Sequence, residues 1–235
     1  MVTEGAKAVS VVLPAYNEEE NIERTVAQCA AYLPTRFGDY EIIVVDDGST
    51  DATARLVEAM VPSTPGLRLV SHPVNRGYGS ALRTGFDAAA KDWIFLMDSD
   101  GQFDITDMDR LVGHTADYDV VIGYRERRAD TFVRTLNAWM YRQFIRLAFG
   151  LKVRDIDCAF KLFTREAYER VRPIRSEGAL FSAELLIKLT RAGYELKEVG
   201  VRHFPRRWGQ QTGADLRVIV RTFAECWKFR NELRR

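Results

Sequence analysis

Cysteine is scarce in this chain: Cys29, Cys158 and Cys226 are the only three. An odd number at wide spacing argues against a disulfide framework and against a zinc knuckle, and leaves reduced cytosolic thiols as the reading. Long apolar runs are missing as well. No stretch approaches the roughly 18 residues that a membrane-spanning helix requires. The start, Met1-Val2-Thr3-Glu4-Gly5-Ala6-Lys7, lacks the basic-then-apolar pattern of a secretory signal. The expectation is a chain that neither crosses a membrane nor is secreted by a standard signal. No segment is rich in Pro, Gly or Ser and no repeat is found, so no linker divides the chain. A single domain over residues 1–235 is expected. Two glycine patterns are absent too. Asn75-Arg76-Gly77-Tyr78-Gly79 is followed by no Gly-Lys-Ser/Thr, and Leu82 stands where the third glycine of a dinucleotide loop belongs.

The length and the 46% hydrophobic share permit one well-buried α/β core. The net charge of +1 conceals an asymmetry. Residues 1–124 hold 9 Lys/Arg against 20 Asp/Glu, and residues 155–201 balance at 8 and 8. Residues 125–154 hold 8 basic and 2 acidic side chains, and residues 202–235 hold 9 and 3. Two basic segments on a near-neutral chain need an explanation, and phosphate groups are one candidate. Nucleic acid is not among the partners expected.

The first half alternates strand and helix. Val9–Leu13, Glu41–Val45, Leu67–Val70, Trp93–Met97 and Asp119–Gly123 read as short buried strands. Helices are expected from about Glu18 to Leu33, from a Ser49 or Thr50 cap to Met60, and from the Asn75–Gly79 turn to Ala90. This order implies a Rossmann-like α/β fold, a mostly parallel sheet flanked by helices. Ligands of such sheets bind at the carboxyl ends of the strands. The polar clusters Tyr16-Asn17-Glu18, Asp46-Asp47, Asn75-Arg76 and Asp98-Ser99-Asp100 all fall there.

Asp98 and Asp100, two apart at a strand end, can share one hard cation, with Gln102 adding a neutral oxygen. Mg²⁺ or Mn²⁺ suits such a set, and substrate phosphate would complete it. A surface turn is the bland alternative for this pattern. Asp46-Asp47-Gly48-Ser49-Thr50-Asp51 offers helix caps, but two adjacent aspartates at a strand end also suit N–H donors of a base or the hydroxyls of a ribose.

Taken together, Val12-Leu13-Pro14-Ala15-Tyr16-Asn17-Glu18-Glu19, Val44-Val45-Asp46-Asp47-Gly48-Ser49-Thr50-Asp51, Asn75-Arg76-Gly77 and Asp98-Ser99-Asp100-Gly101-Gln102 resemble the family-2 glycosyltransferases of the GT-A fold. Within them the chain is most similar to the dolichyl- or polyprenyl-phosphate hexose synthases. The resemblance implies that Pro14, Tyr16 and Glu18 line a nucleotide pocket, and that Val45, Asp46 and Asp47 meet base and ribose. Arg76, Asp98 and Ser99 would join that nucleotide-sugar set, and Asp98, Asp100 and Gln102 would hold the metal. Arg125 would reach toward donor or acceptor. The resemblance divides the domain into a nucleotide-sugar half, 1–125, and an acceptor half, 126–235, with amphipathic interfacial helices.

Further resemblances lie in the second half. Asp155-Ile156-Asp157-Cys158-Ala159-Phe160-Lys161 is similar to an acceptor-side motif with an acid and, six residues on, a base, which Asp155 and Lys161 match. Glu184 in Phe181-Ser182-Ala183-Glu184 would face the site or be an ordinary helical glutamate. Arg206, three residues before Gly209, matches a phosphate-binding arginine, although Gln211 and Thr212 replace the usual Ser-Lys. That departure leaves the phosphate details and the sugar open. Residues 131–149 read as a helix whose main apolar stripe is Val133, Leu136, Met140, Phe144 and Leu147. An ordinary core helix and a helix lying at a membrane interface both fit it.

The function so implied is inverting, metal-dependent transfer of a hexose from a GDP-mannose or UDP-glucose type donor to a polyprenyl phosphate. Asp100, Asp155, Asp157, Arg125 and Arg206 are expected to carry the chemistry, with Arg125, Lys161 and Arg206 at the acceptor. The protein would be cytoplasmic and peripheral on that face of a membrane, attached by its surface or by an anchoring partner. A phosphate nucleophile is already ionised and needs no strong base. A hydroxyl acceptor would need one, with Asp155 or Asp157 the first candidates. A binding module for nucleotide sugars without turnover is the alternative of another class, and a nucleotidyltransferase lacks its usual Gly-rich start.

Overall fold

Seven strands form one sheet in the order β3-β2-β1-β4-β6-β5-β7 in the computed structural model, which describes residues 8–126, 132–178, 180–206, 226 and 229. The strands are β1 (Ala8–Ala15), β2 (Asp39–Asp46), β3 (Leu67–Ser71), β4 (Trp93–Met97), β5 (Val120–Arg125), β6 (Phe160–Thr164) and β7 (Leu196–Val201). The helices are α1 (Ile22–Tyr32), α2 (Thr53–Met60), α3 (Tyr78–Ala88), α4 (Met108–Val112), α5 (Phe132–Phe149), α6 (Arg165–Val171) and α7 (Leu180–Arg191). Strand β6 runs antiparallel to both β4 and β5, while every other pair is parallel. Six strands therefore end at one edge, and β6 begins there.

The β-branched runs are buried on both faces, as a helix-covered parallel sheet requires. Period-two alternation divides them. Val12, Ile43 and Val45 face a core built with α3, α6 and α7, whereas Val11, Leu13, Ile42 and Val44 face a second core built with α1 and α2. Phe86 of α3 meets Phe163 and Tyr168 edge-on at 5.2 and 5.4 Å, tying the first core across β6.

The structure moves two boundaries. Helix α2 starts at Thr53, so neither Ser49 nor Thr50 caps it; Asp51 Oδ1 instead accepts from the Thr53 N–H at 2.9 Å. Ser49 and Thr50 turn back to the end of β1. Ser49 Oγ accepts from Asn17 N–H at 2.9 Å and Asn17 Oδ1 accepts from Thr50 N–H at 2.8 Å, around an Asn17 held at φ 54°. In α5 the apolar stripe, which fits both a core helix and an interfacial one, is divided. Ile145 is fully buried and Tyr141, Phe144 and Phe149 pack against the core, but Met140 and Leu147 are 48% and 86% exposed. Val133 and Leu136 lie among residues 131–138, whose side chains fall outside the described set.

Helix α3 sits close to the sheet because Gly85 lacks a side chain: a Cβ there would collide with Val12 Cγ1 and lie 3.1 Å from Val45 Cγ2. Gly85→Ala gains about 1 kcal/mol of helix propensity but forces this interface apart at a cost of about 1–3 kcal/mol. Urea unfolding should show a net loss of stability; a gain would mean that α3 packs less tightly than described.

Candidate active site

The edge where six strands end gathers the loops after β1, β2, β3, β4, β5 and β7 and the segment leading into β6. Strands β2, β4, β5 and β7 stop where the apolar run gives way to charge, at Asp46, Asp98, Arg125 and Arg202. Most of the predicted site residues within the described set therefore meet on this one edge, with carboxylates in excess.

On the nucleotide side the side chains divide into exposed and engaged. Tyr16 is 43% exposed and Arg76 is exposed. Asp46 accepts from the Ser49 N–H at 3.2 Å and is buried. Asp47 is more heavily used. Its Oδ1 accepts from Arg76 N–H at 2.9 Å and meets His72 Nδ1 at 2.6 Å, and its Oδ2 accepts from Gly77 N–H at 2.8 Å. This carboxylate shapes the Arg76–Gly77 turn, in which Gly77 adopts φ 92°. Val45 has its side chain wholly in the core. Ser99 is likewise inward, donating to the Pro14 carbonyl at 2.7 Å and so tying β4 to β1.

Asp98 and Asp100 leave β4 together at the centre of the edge. Tyr78 donates its hydroxyl to Asp98 Oδ1 at 2.9 Å. Asp100 Oδ1 accepts from Gln102 N–H at 3.1 Å. Burial, reinforced by the charge of Asp100, pushes the Asp98 carboxyl up to about 7, and burial raises Asp100 as well. Two hard oxygen donors pressed together in this way fit Mg²⁺ or Mn²⁺. No cluster of three or more His, Cys, Asp or Glu suited to a metal occurs among the described residues. A cation held by Asp98 and Asp100 would thus take its remaining oxygens from a diphosphate and water. Gln102, expected as a third protein ligand, donates its side-chain nitrogen to the Phe204 carbonyl at 2.9 Å and receives the Phe204 N–H on its main-chain oxygen at 2.9 Å. It fastens the segment after β7 to the Asp98–Asp100 loop.

That segment delivers Arg206. Its Nη2 lies 2.5 Å from Glu18 Oε1 and its Nη1 3.6 Å from Asp100 Oδ2, bridging the first and fourth strand ends. Glu18, raised by burial, also accepts from Asn21 at 2.8 Å. Arg125 and Asp155 form a second cationic post. The guanidinium forks onto the carboxylate at 2.6 and 2.8 Å, and the Arg125 N–H adds a contact of 3.3 Å. Burial works against the Arg125 charge, but the hydrogen bonds and charge of Asp155 outweigh it and raise its pKa. Lys161 is buried behind this post, donating to the carbonyls of Ile156 at 3.1 Å and Cys158, with burial lowering its pKa. Asp157 is exposed beside them and acts electrostatically on both Arg125 and Lys161.

Several partners had no signal in the sequence. Tyr78 on Asp98 and His72 on Asp47 are single residues whose roles come only from the fold. Glu184 does not face the edge with a free carboxylate. It accepts from the N–H groups of Arg175 and Ser176 at 2.9 and 2.8 Å, fixing the turn whose Glu177 carbonyl receives the Gly79 N–H.

A carboxyl whose pKa is raised by folding binds its proton more tightly in the native chain than in the unfolded one. Its contribution to stability is complete below about pH 4 and is lost as pH rises through about 7. The metal-free protein should melt at a lower temperature near pH 8 than near pH 6 on this account, and Asp98→Asn should flatten that slope. Mn²⁺ must displace the proton, so its affinity should climb about tenfold per pH unit below 7 and level off above. Calorimetric titration of Mn²⁺ checks this; an affinity independent of pH would contradict it.

The family model for glycosyl transferase family 2 matches residues 10–172. The chain is 28% identical to a dolichyl-phosphate beta-glucosyltransferase of Dictyostelium discoideum over 88% of this chain and 68% of the relative. It is 32% identical to an undecaprenyl-phosphate 4-deoxy-4-formamido-L-arabinose transferase of Yersinia pestis, over 93% of this chain and 66% of the relative. The chain thus spans about two thirds of these curated relatives. Among solved structures it resembles glucosyl-3-phosphoglycerate synthase of Mycobacterium tuberculosis. The complex with phosphoglyceric acid gives a TM-score of 0.75 at 24% identity, covering 96% of this chain and 80% of that one. The complex with Mn²⁺ and UDP-glucose gives 0.69 at 26% identity, covering 94% and 79%. The sheet and its flanking helices have the GT-A arrangement, the family match takes in the edge loops from Tyr16 to Lys161, and the chain belongs to glycosyl transferase family 2 as a glycosyltransferase enzyme.

Proposed function

We propose that the protein transfers a hexose from a nucleotide sugar, of the UDP-glucose or GDP-mannose type, to a polyprenyl phosphate with inversion at the anomeric carbon. The observation that carries this reading is the Arg125–Asp155 fork. A carboxylate that accepts two guanidinium N–H groups at 2.6 and 2.8 Å is a poor proton acceptor for an incoming hydroxyl. An acceptor that is already an anion needs cations instead, and Arg125 and Arg206 flank the Asp98–Asp100 pair. The names of the dolichyl- and undecaprenyl-phosphate relatives support a lipid phosphate acceptor. The Mn²⁺ and UDP-glucose complex of the mycobacterial synthase supports a divalent cation with a uridine donor.

In this reading Tyr16, Pro14 and the Asp46–Asp47 loop receive the nucleoside. Asp47 acts by holding the Arg76–Gly77 turn as well as through its position beside the ribose. Asp98 and Asp100, with Gln102 behind them, would hold Mg²⁺ or Mn²⁺, which supplies charge neutralisation for the diphosphate when bound. An oxygen of the acceptor phosphate attacks the anomeric carbon as the bond to the donor's β-phosphate oxygen breaks, and the nucleoside diphosphate departs with that electron pair. Arg206, anchored by Glu18, faces the developing charge, while Arg125 holds the acceptor side and the buried Lys161 braces the Ile156–Cys158 turn behind it. The enzyme would work on the cytoplasmic face of a membrane, where its acceptor resides. No described helix is long and apolar enough to cross a membrane.

A second reading has one observation in its favour. Asp157 is exposed beside Arg125. Asp157 would then serve as base for a hydroxyl acceptor.

The test is incubation with polyprenyl phosphate, Mn²⁺ or Mg²⁺ and radiolabelled UDP- and GDP-hexoses, counting label in the organic phase. Metal-dependent lipid label should appear and fall at least about 100-fold in Asp100→Asn, the scale of removing one charge-stabilising group. Asp157→Asn should leave it within about threefold. Nucleoside diphosphate release with a hydroxyl acceptor, abolished by Asp157→Asn, would replace this reading with the second.

A further inference from the structure

Away from the strand ends, between the second half of α5 and edge strand β7, lies a cavity of about 330 Å³ lined by Arg142, Arg146, Lys152 and Arg154, with Glu198 as its one acid. Residues 142–154 carry these four basic side chains and no acidic one. The acid does not neutralise them. Glu198 Oε2 accepts the Arg154 main-chain N–H at 2.6 Å, and no described carboxylate pairs with any of the four cations. Their arrangement is held from within. Arg142 Nη1 donates to the Arg154 carbonyl at 2.6 Å, and the Arg154 guanidinium lies over the Tyr124 ring, 4.7 Å from its centroid. Four like charges gathered around one cavity repel each other, and an anion relieves that repulsion.

The same helix says where the anion comes from. Beside Arg146, Leu147 is 86% exposed, and about two turns earlier Met140 and Trp139 are 48% and 50% exposed. Large apolar side chains set in a rim of cations suit the boundary between phosphate headgroups and acyl chains. A free phosphate would use the cations but not this apolar face.

We infer that the Arg142–Arg146–Lys152–Arg154 cavity is a binding site for the phosphate headgroup of an anionic membrane lipid, separate from the transfer site, with Trp139, Met140 and Leu147 entering the acyl boundary. The site rests on the proposed function only in placing the enzyme at a membrane. Chain continuity gives it a purpose. Arg154 precedes Asp155, whose carboxylate holds Arg125, so a lipid seated here sets the acceptor side of the catalytic edge against the bilayer.

The test uses the full chain and vesicles that contain no polyprenyl phosphate, so its result is independent of any transfer activity. Sedimentation is compared on phosphatidylcholine alone and on phosphatidylcholine mixed with phosphatidylglycerol. The native protein should prefer the anionic vesicles. Arg146→Gln with Lys152→Gln, both exposed positions, should weaken that binding about 25-fold, since each basic residue near an anionic surface contributes about fivefold. Leu147→Ser should weaken binding to both vesicle types. Melting temperature and nucleotide-sugar binding should stay unchanged in both variants, which separates loss of the site from loss of the fold. Equal binding of native protein and double variant to anionic vesicles would overturn the inference. So would native protein that sediments with neither vesicle, or whose cavity takes inorganic phosphate as tightly as it takes the anionic vesicle surface.

Discussion

Convergence of negative charge on one sheet edge is the constraint around which the rest of this molecule is arranged. Parallel strands bring Glu18, Asp46, Asp47, Asp98 and Asp100 to the same edge because each follows a buried run that ends there, and Asp155 joins them from the segment that leads into the antiparallel β6. Carboxylates so close must be neutralised or protonated. The fold neutralises most of them internally, each by its own device. Asp47 is bound by two main-chain N–H groups and His72, Glu18 by Arg206 and Asn21, and Asp155 by the Arg125 fork. Asp98 and Asp100 stay pressed together at the centre, with Arg206 reaching Asp100 at 3.6 Å, and burial reinforced by the charge of Asp100 lets Asp98 hold its proton up to about 7. A site short of positive charge, facing a cleft rimmed by Arg125 and Arg206, suits a cation that arrives with a diphosphate.

The same accounting separates side chains left open at the edge from side chains that hold others in place. Asp155 and Asp47 are buried and fully engaged, so their effect passes through Arg125 and through the Arg76–Gly77 turn. Ser99 and Glu184 act at a further remove, joining β4 to β1 and fixing the 175–177 turn. Tyr78 and Asp157 are exposed at the edge, and Asp98, Asp100, Arg125 and Arg206 are half-buried beside them. A catalytic edge built this way depends on long-range contacts. Glu18 and Arg206 meet although 188 positions separate them.

Much of this was legible in the sequence because burial and charge alternate so cleanly. Trp93–Met97 ends as an apolar run at Asp98, and β2 ends at Asp46, so both strands and both acidic loops were visible from pattern alone. The insertion of β6 between β4 and β5, antiparallel to both, was not. Phe160–Thr164 is an apolar run like any other, and nothing local records strand direction. Hydrogen-bond partners were equally hidden. An aspartate after a strand looks the same whether it meets a ribose or, like Asp47, two N–H groups of a turn 29 and 30 residues away. In α5 the apolar residues outnumber what one face can bury, so the sequence pattern could not tell that Ile145 points inward and Leu147 outward.

The central claim is that Asp155 contributes to transfer through Arg125 and not as a base. A double-mutant cycle on kcat with Asp155→Asn, Arg125→Gln and the pair measures this directly. If the fork is the functional unit, each single change should cost nearly as much as the double, and the coupling should account for most of either loss. If the losses multiply, as an independent base and an independent cation would give, the fork is incidental and a hydroxyl acceptor activated by Asp155 becomes the better account.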